Sequence, residues 1–92
     1  MSYTASYSED FVEKLVKIRK KYAKMFYSLQ KKINEILQNS EHYKPLKYDL
    51  HGYRRVHIMG PFVIVFKIEE QTNIVKFMDF DHHDKVYKKR YN

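Results

Sequence analysis

Midway along this chain the spacing of apolar residues changes. Up to Asn39 it is helical: Phe11, Leu15 and Ile18 recur with Val12 beside them, and Tyr22, Phe26, Leu29, Ile33 and Ile36 follow in steps of four and three. From Tyr53 the period is two. Tyr53, Arg55 and His57 alternate with Arg54, Val56 and Ile58, and the second set contributes Val56 and Ile58 to a core. Both helices should therefore pack on one face of a sheet.

Local signals place the boundaries. Tyr3 to Tyr7 alternates bulky and small residues and reads as a short strand. Ser8 is a helix N-cap, with Glu9 and Asp10 favourably placed in the first turn. No Gly or Pro marks a break near Lys20–Ala23, yet one unbroken helix would be long for a small domain, so a helical hairpin is expected there. The second helix should end near Asn39, and Pro45 blocks continuation in the connector SEHYKPLKYD. Met59-Gly60-Pro61 signals a turn, Phe62 to Ile68 is apolar on both faces like a central strand, and EEQTN is the next turn. Ile74 to Phe80 is the last strand, and KVYKKRYN a final half-turn or frayed end. The fold class expected is α+β, in the order β-α-α-β-β-β with an antiparallel meander. Residues 1–92 form one domain. The aromatic stripe Phe11, Tyr22, Phe26 belongs to the core, and Tyr53, Arg55 and His57 lie on the open sheet face.

A chain of this length buries about 60–65% of its unfolded surface, so its contacts with a substrate lie on an open face or in a shallow groove. There is no cysteine, which excludes a disulfide framework, a thiolate zinc site and a thiol nucleophile. MSYTASYSED lacks the features of a secretory signal, and FVIVF is too short to cross a bilayer, so a cytoplasmic protein off the membrane is expected. The formal charge of +7 points to a polyanion or an acidic protein partner. Nine tyrosines beside these cations suit unpaired bases. Lys14, Lys17, Lys20, Lys21, Lys24, Lys31 and Lys32 read as solvated helix faces.

The densest chemistry is in DFDHHDKVY, Asp79 to Tyr87. His51, His57, His82, His83, Asp79, Asp81 and Asp84 are all possible metal ligands. On a strand, however, adjacent residues point to opposite faces, so His82 and His83 are not expected to share an ion, and no metal or other cofactor is expected. Alternation also puts Asp79, Asp81 and His83 on one face and Phe80 and His82 on the other. Acid–base chemistry fits better. Histidine exchanges protons at physiological pH, and a basic surface with histidines suits RNA cleavage through the 2′-hydroxyl. Arg54, Arg55, Lys47 and Lys85 are candidate cations for the phosphate. His57, His83 and Tyr87 are candidate proton carriers or stacking groups, and each also occurs on ordinary sheet faces.

The order of segments resembles the RelE/ParE superfamily of toxins from toxin–antitoxin pairs, closest to the archaeal RelE type. ASYSEDFVEKLVKI looks like the family's opening strand and first helix. ILQNSEHYKPLKYDLHGYRRVHI is similar to its connector, PFVIVFKI to its central strand, and HHDKVY to its closing segment. The matches cover roughly 80 residues in order. The resemblance implies a RelE-like mRNA interferase that cuts message in the ribosomal A site without a metal. It also implies a neutralising RelB-like antitoxin, with the toxin monomeric when free and part of a hetero-oligomer when bound. By position, His83, Tyr87, His57 and Arg55 would be catalytic, and Lys47, Arg54, Tyr53, Lys85 and Arg90 would bind RNA. Many members carry an arginine near the start of the central strand, where this chain has Val63. Its loss is expected to cost about 10²–10³-fold unless Arg54 or Arg55 substitutes. The other readings are a ParE-like gyrase inhibitor, against which HHDKVY argues, and a non-catalytic RNA- or antitoxin-binding member.

Overall fold

Ser8 starts the helical half as its side chain predicts. Its Oγ accepts the Phe11 N–H at 3.1 Å and donates to the Met78 carbonyl at 2.6 Å, so one hydroxyl caps the helix and ties it to the sheet. The computed structural model describes residues 3–39 and 52–88, the side chains of residues 87 and 88 excepted. Within them, strand β1 spans Thr4–Tyr7, helix α1 Glu9–Lys21 and helix α2 Ala23–Asn39. Strands β2, β3 and β4 span Tyr53–Met59, Phe62–Glu69 and Ile74–His82, and helix α3 spans His83–Lys88.

The expected helical break is a single residue. Tyr22 leaves helical geometry at φ −134°, ψ 72°, while its N–H still reaches the Ile18 carbonyl at 2.7 Å. That departure turns Tyr22 outward, so it is 61% exposed and not part of the core stripe. Phe11 is buried and Phe26 half-buried, as expected.

The four strands lie in the order β1-β4-β3-β2. The last three form the expected antiparallel meander, and β1 adds parallel to β4 at the far edge. Two hairpin turns need left-handed backbone, which Gly60 and Asn73 adopt at φ 55° and 56°. Helices α1 and α2 cover one sheet face. Phe11, Ile18, Leu29, Ile33 and Ile36 pack there on Ile64, Phe66, Val75, Phe77 and Phe80, with Val56 and Ile58 at the margin. Phe77 is the hub of the aromatic contacts: its ring centroid lies 5.4 to 6.2 Å from those of Tyr7, Phe11 and Phe66.

The opposite face is not open throughout. The last strand runs two residues further than expected, and the tail then forms α3 and folds back beneath the sheet. Val86 of α3 is fully buried with Val63, Val65 and Tyr53. The alternation expected along β4 is also broken. A register shift sets Val65 opposite Asp79 but Phe66 opposite Phe77, so β4 carries an extra residue, Met78, in a bulge.

Just past that bulge, Asp79 is 2% exposed. A buried carboxylate must be paired or neutralised. Lys14 of α1, expected on a solvated face, supplies the charge: its Nζ lies 2.6 Å from Asp79 Oδ1 and 2.9 Å from Asp81 Oδ2. Asp79 Oδ1 also accepts the Phe80 N–H, and Asp81 Oδ1 the His82 N–H, each at 2.8 Å. Burial works to raise the Asp81 pKa. The Lys14 hydrogen bond, the His82 N–H and the charges of Lys14 and Lys85 outweigh it, and the carboxyl sits below its ordinary value of 3.8.

Replacing Lys14 with alanine removes the ammonium that faces buried Asp79, and should destabilise the fold by about 3 kcal/mol in denaturant unfolding. Adding Asp79→Asn in a Lys14→Met background should recover part of that loss. A carboxyl with a depressed folded pKa stabilises the fold above its unfolded pKa. That contribution disappears as pH falls through the lower folded value. Stability of the wild type should therefore drop below about pH 4, and less steeply in Lys14→Ala. A separate change, Val86→Asp, should release α3 alone. Amide exchange at residues 83–88 would then accelerate far more than exchange in β3, and uniform acceleration would count against local docking.

Candidate functional site

The register of the sheet decides which candidate residues share a face. Across β2, β3 and β4, His57 pairs with Val63 and Val63 with Asp81, while Arg55 pairs with Val65 and Val65 with Asp79. Arg55 and His57 therefore stand on the α3 side of the sheet, the side of buried Val63 and Val65. Arg54 pairs with Phe66 and stands on the α1/α2 side. The two arginines, both expected to bind phosphates, thus stand on opposite faces of the sheet, as their alternation implies.

Tyr53 was expected on an open face. It is instead 4% exposed, enclosed with Val63, Val65 and Val86, and the Lys67 Nζ lies 5.4 Å over its ring. A ring so enclosed offers no stacking platform to a base. His57 is exposed and Arg55 half-buried on the same strand. Val63, where the resemblance led to the expectation of an arginine, is fully buried under α3. A guanidinium there would have to displace that helix.

His83 does not sit on β4 beside Asp79 and Asp81. The strand ends at His82 and α3 starts at His83, so alternation stops between them. The two imidazoles come together, with ring centroids 4.8 Å apart and a 31° tilt. Asp84 lies against both. Its Oδ1 is 3.0 Å from His83 Nδ1 and its Oδ2 3.7 Å from His82 Nδ1, while its N–H donates to His82 Nδ1 at 3.2 Å. The premise that His82 and His83 point apart thus fails, because it holds only within a strand. His82 also packs edge-on against Phe62, at a centroid distance of 6.0 Å.

The backbone beneath this cluster is fastened independently of its side chains. The His83 N–H donates to the Pro61 carbonyl at 2.8 Å. Lys14 holds Asp81, and Asp81 holds the His82 N–H. From His57 to Asp81 the sheet is two strand spacings wide, roughly 10 Å. His57 and the His82–Asp84 cluster can thus flank a ligand but do not touch in the backbone register. Lys85 is exposed on α3. Lys47 and Arg90 lie outside the described residues, and of Tyr87 only the backbone, within α3, is described.

On the other side of the sheet, α1 and β3–β4 leave an open groove of about 480 Å³, lined by Lys17, Ile18, Tyr22, Met25, Phe62 and Phe80 among others. Sequence reasoning took Asp79 and Asp84 only as possible metal ligands and Lys14 as solvated, and missed the pairings they make. A lone aspartate within the apolar run IVKFMDF was the signal for a buried charge; its partner on α1 is set by tertiary packing.

Three comparisons bear on this arrangement. The sequence model of the ParE toxin of type II toxin–antitoxin systems, parDE, matches residues 5–87. A toxin candidate of Methanocaldococcus jannaschii named RelE4 is 46% identical over 76 residues, which cover 83% of this chain and 81% of that one. Among solved structures, the YoeB/ParE toxin from Agrobacterium tumefaciens superposes with a TM-score of 0.78 at 14% identity, covering 87% of this chain and 98% of that one. The toxin–antitoxin complex RelBE2 from Mycobacterium tuberculosis gives 0.75 at 17% identity, covering 89% and 99%. The structures share the fold, and the sequence matches carry the membership: this chain belongs to the RelE/ParE superfamily of toxins of type II toxin–antitoxin systems.

Proposed function

We propose that this toxin is an endoribonuclease that cuts messenger RNA in the ribosomal A site, by attack of a 2′-hydroxyl on the adjacent phosphate, and that a RelB-like antitoxin holds it inactive. The observation that carries this reading is the His83–Asp84 pair at the β4–α3 junction. A carboxylate 3.0 Å from Nδ1 orients the ring and fixes its tautomer, leaving Nε2 to exchange a proton with the RNA. His57, exposed on the same side of the sheet, is the second proton carrier, on the far flank of the phosphate. Arg55, one strand position pair away on that face, stabilises the added negative charge. Lys85 contacts the RNA backbone, with Lys47, Tyr87 and Arg90 extending the surface as position in the family suggests. Arg54 stands on the other face and has no part in the chemistry.

Support for the partner comes from the net charge of +7 and from the apolar groove beside α1, whose rim carries Lys17. Both suit an acidic, flexible segment that orders on binding. The structural neighbour RelBE2 was solved as a toxin–antitoxin complex. We take this toxin to be a monomer when free and one component of a hetero-oligomer when neutralised.

Purified toxin added to ribosomes stalled with an open A site should cut the message there and leave 2′,3′-cyclic phosphate ends. His83→Ala and Arg55→Ala should each slow cutting by about 10²-fold or more, and Arg54→Ala by less than about tenfold. Intact message with the wild-type protein sinks the proposal. The family model's ParE description favours a second reading, inhibition of DNA gyrase. It predicts loss of plasmid supercoiling activity with untouched RNA.

A further inference from the structure

The junction that brings His82 and His83 together creates a donor set that strand geometry alone would forbid. One ligand atom from each of His82, His83 and Asp84 lies within 4.8 Å of the others. The Asp84 carboxylate is 3.0 Å from His83 Nδ1 and 3.7 Å from His82 Nδ1. Tetrahedral zinc with bonds of about 2.0–2.1 Å holds its ligand atoms about 3.3–3.4 Å apart. The two nitrogen–oxygen separations, one from each Asp84 oxygen, straddle that value, and a small turn of the exposed carboxylate offers one oxygen to both rings. The imidazole nitrogens, within 4.8 Å of each other, must also close toward that spacing, and as half-exposed side chains they have room to do so.

We infer that His82, His83 and Asp84 form a binding site for a first-row transition ion, with Zn²⁺ the probe ion. Two imidazoles and one carboxylate are the donors such ions take, and three protein ligands leave a fourth position open to water. The site is preorganised where it matters. The His83 N–H is held by the Pro61 carbonyl, and the His82 N–H by Asp81, so the backbone carrying the ligands does not depend on the ion. Occupation costs one weak contact, the 3.2 Å bond from the Asp84 N–H to His82 Nδ1, and that N–H is exposed to water. The ion also takes the His83 nitrogen that Asp84 holds. With Nδ1 on the ion, the neutral ring carries its proton on Nε2, which can then no longer accept one from the RNA, so zinc acts as an inhibitor. This consequence rests on the proposed cleavage reaction; the binding does not.

The test uses the full chain without a histidine tag. Isothermal titration with zinc chloride near neutral pH should show one saturable ion per chain in the micromolar range. His82→Ala and Asp84→Asn should each weaken binding by at least about tenfold. Imidazole resonances of His82 and His83 should shift together in NMR spectra. No saturable uptake, or uptake that His82→Ala leaves unchanged, overturns the site. In the ribosome assay, zinc should slow cutting by the wild type, while His82→Ala, compared with its own zinc-free rate, should resist. Binding by calorimetry without any slowing overturns the inhibitory role and leaves the site standing.

Discussion

A buried carboxylate organises this molecule. Asp79 sits inside the sheet at 2% exposure, and it is tolerated because Lys14 reaches it from α1. An isolated charge in that position would cost several kcal/mol. The pair therefore couples two parts of the chain that are 65 residues apart. It also fixes the end of β4 against α1 at the point where the bulge breaks the strand's alternation. Asp81 shares the same ammonium and passes the constraint on, through its bond to the His82 N–H, to the first residue of the histidine cluster. The ion pair thus adds to the β3 pairing and the Pro61 bond that hold this strand end.

The sheet then sorts the cations by face. Alternation on β2 sends Arg55 and His57 to the α3 side and Arg54 to the α1/α2 side, beside Val56. The α3 face is itself divided. Over β3 and β4 it is closed by Val86, which buries Val63, Val65 and Tyr53. Nearer the turn, His57 is exposed. Among the described residues, the candidate groups on this face thus gather at the corner between the β2–β3 turn and the β4–α3 junction. The Pro61 carbonyl of that turn binds the His83 N–H, which draws the two parts of the corner together.

Much of the fold was legible because it rests on periodicity. The Ser8 cap, both helices, the three strands of the meander and their turns follow from local residue patterns that burial then reinforces. What could not be read depends on tertiary choices. The pattern of Tyr22 fits a core stripe, and only the one-residue helix break at that position turns it outward. KVYKKRYN carries too few apolar residues to announce α3; Val86 gains its helix by having Val63 and Val65 to pack on. Tyr53 was misplaced for the same reason. Lys14 looked like any other helix lysine until Asp79 gave it a partner. The site was legible as composition and illegible as geometry. The sequence shows two histidines and an aspartate in a row, but their arrangement depends on where the strand stops.

That stopping point carries the argument furthest. Had β4 continued one residue, His83 would lie on the side opposite His82, next in line after Asp81, and Asp84 would reach neither nitrogen it now holds. Ending the strand at His82 replaces a two-residue period with a helical turn, and three consecutive side chains converge. The same convergence sets the Asp84 carboxylate against His83 Nδ1, as the proposed cleavage uses it, and groups the three donors of the proposed ion site. These uses compete for one nitrogen. A site built to orient a histidine by a neighbouring carboxylate is therefore open to capture by a metal whenever a second imidazole stands alongside.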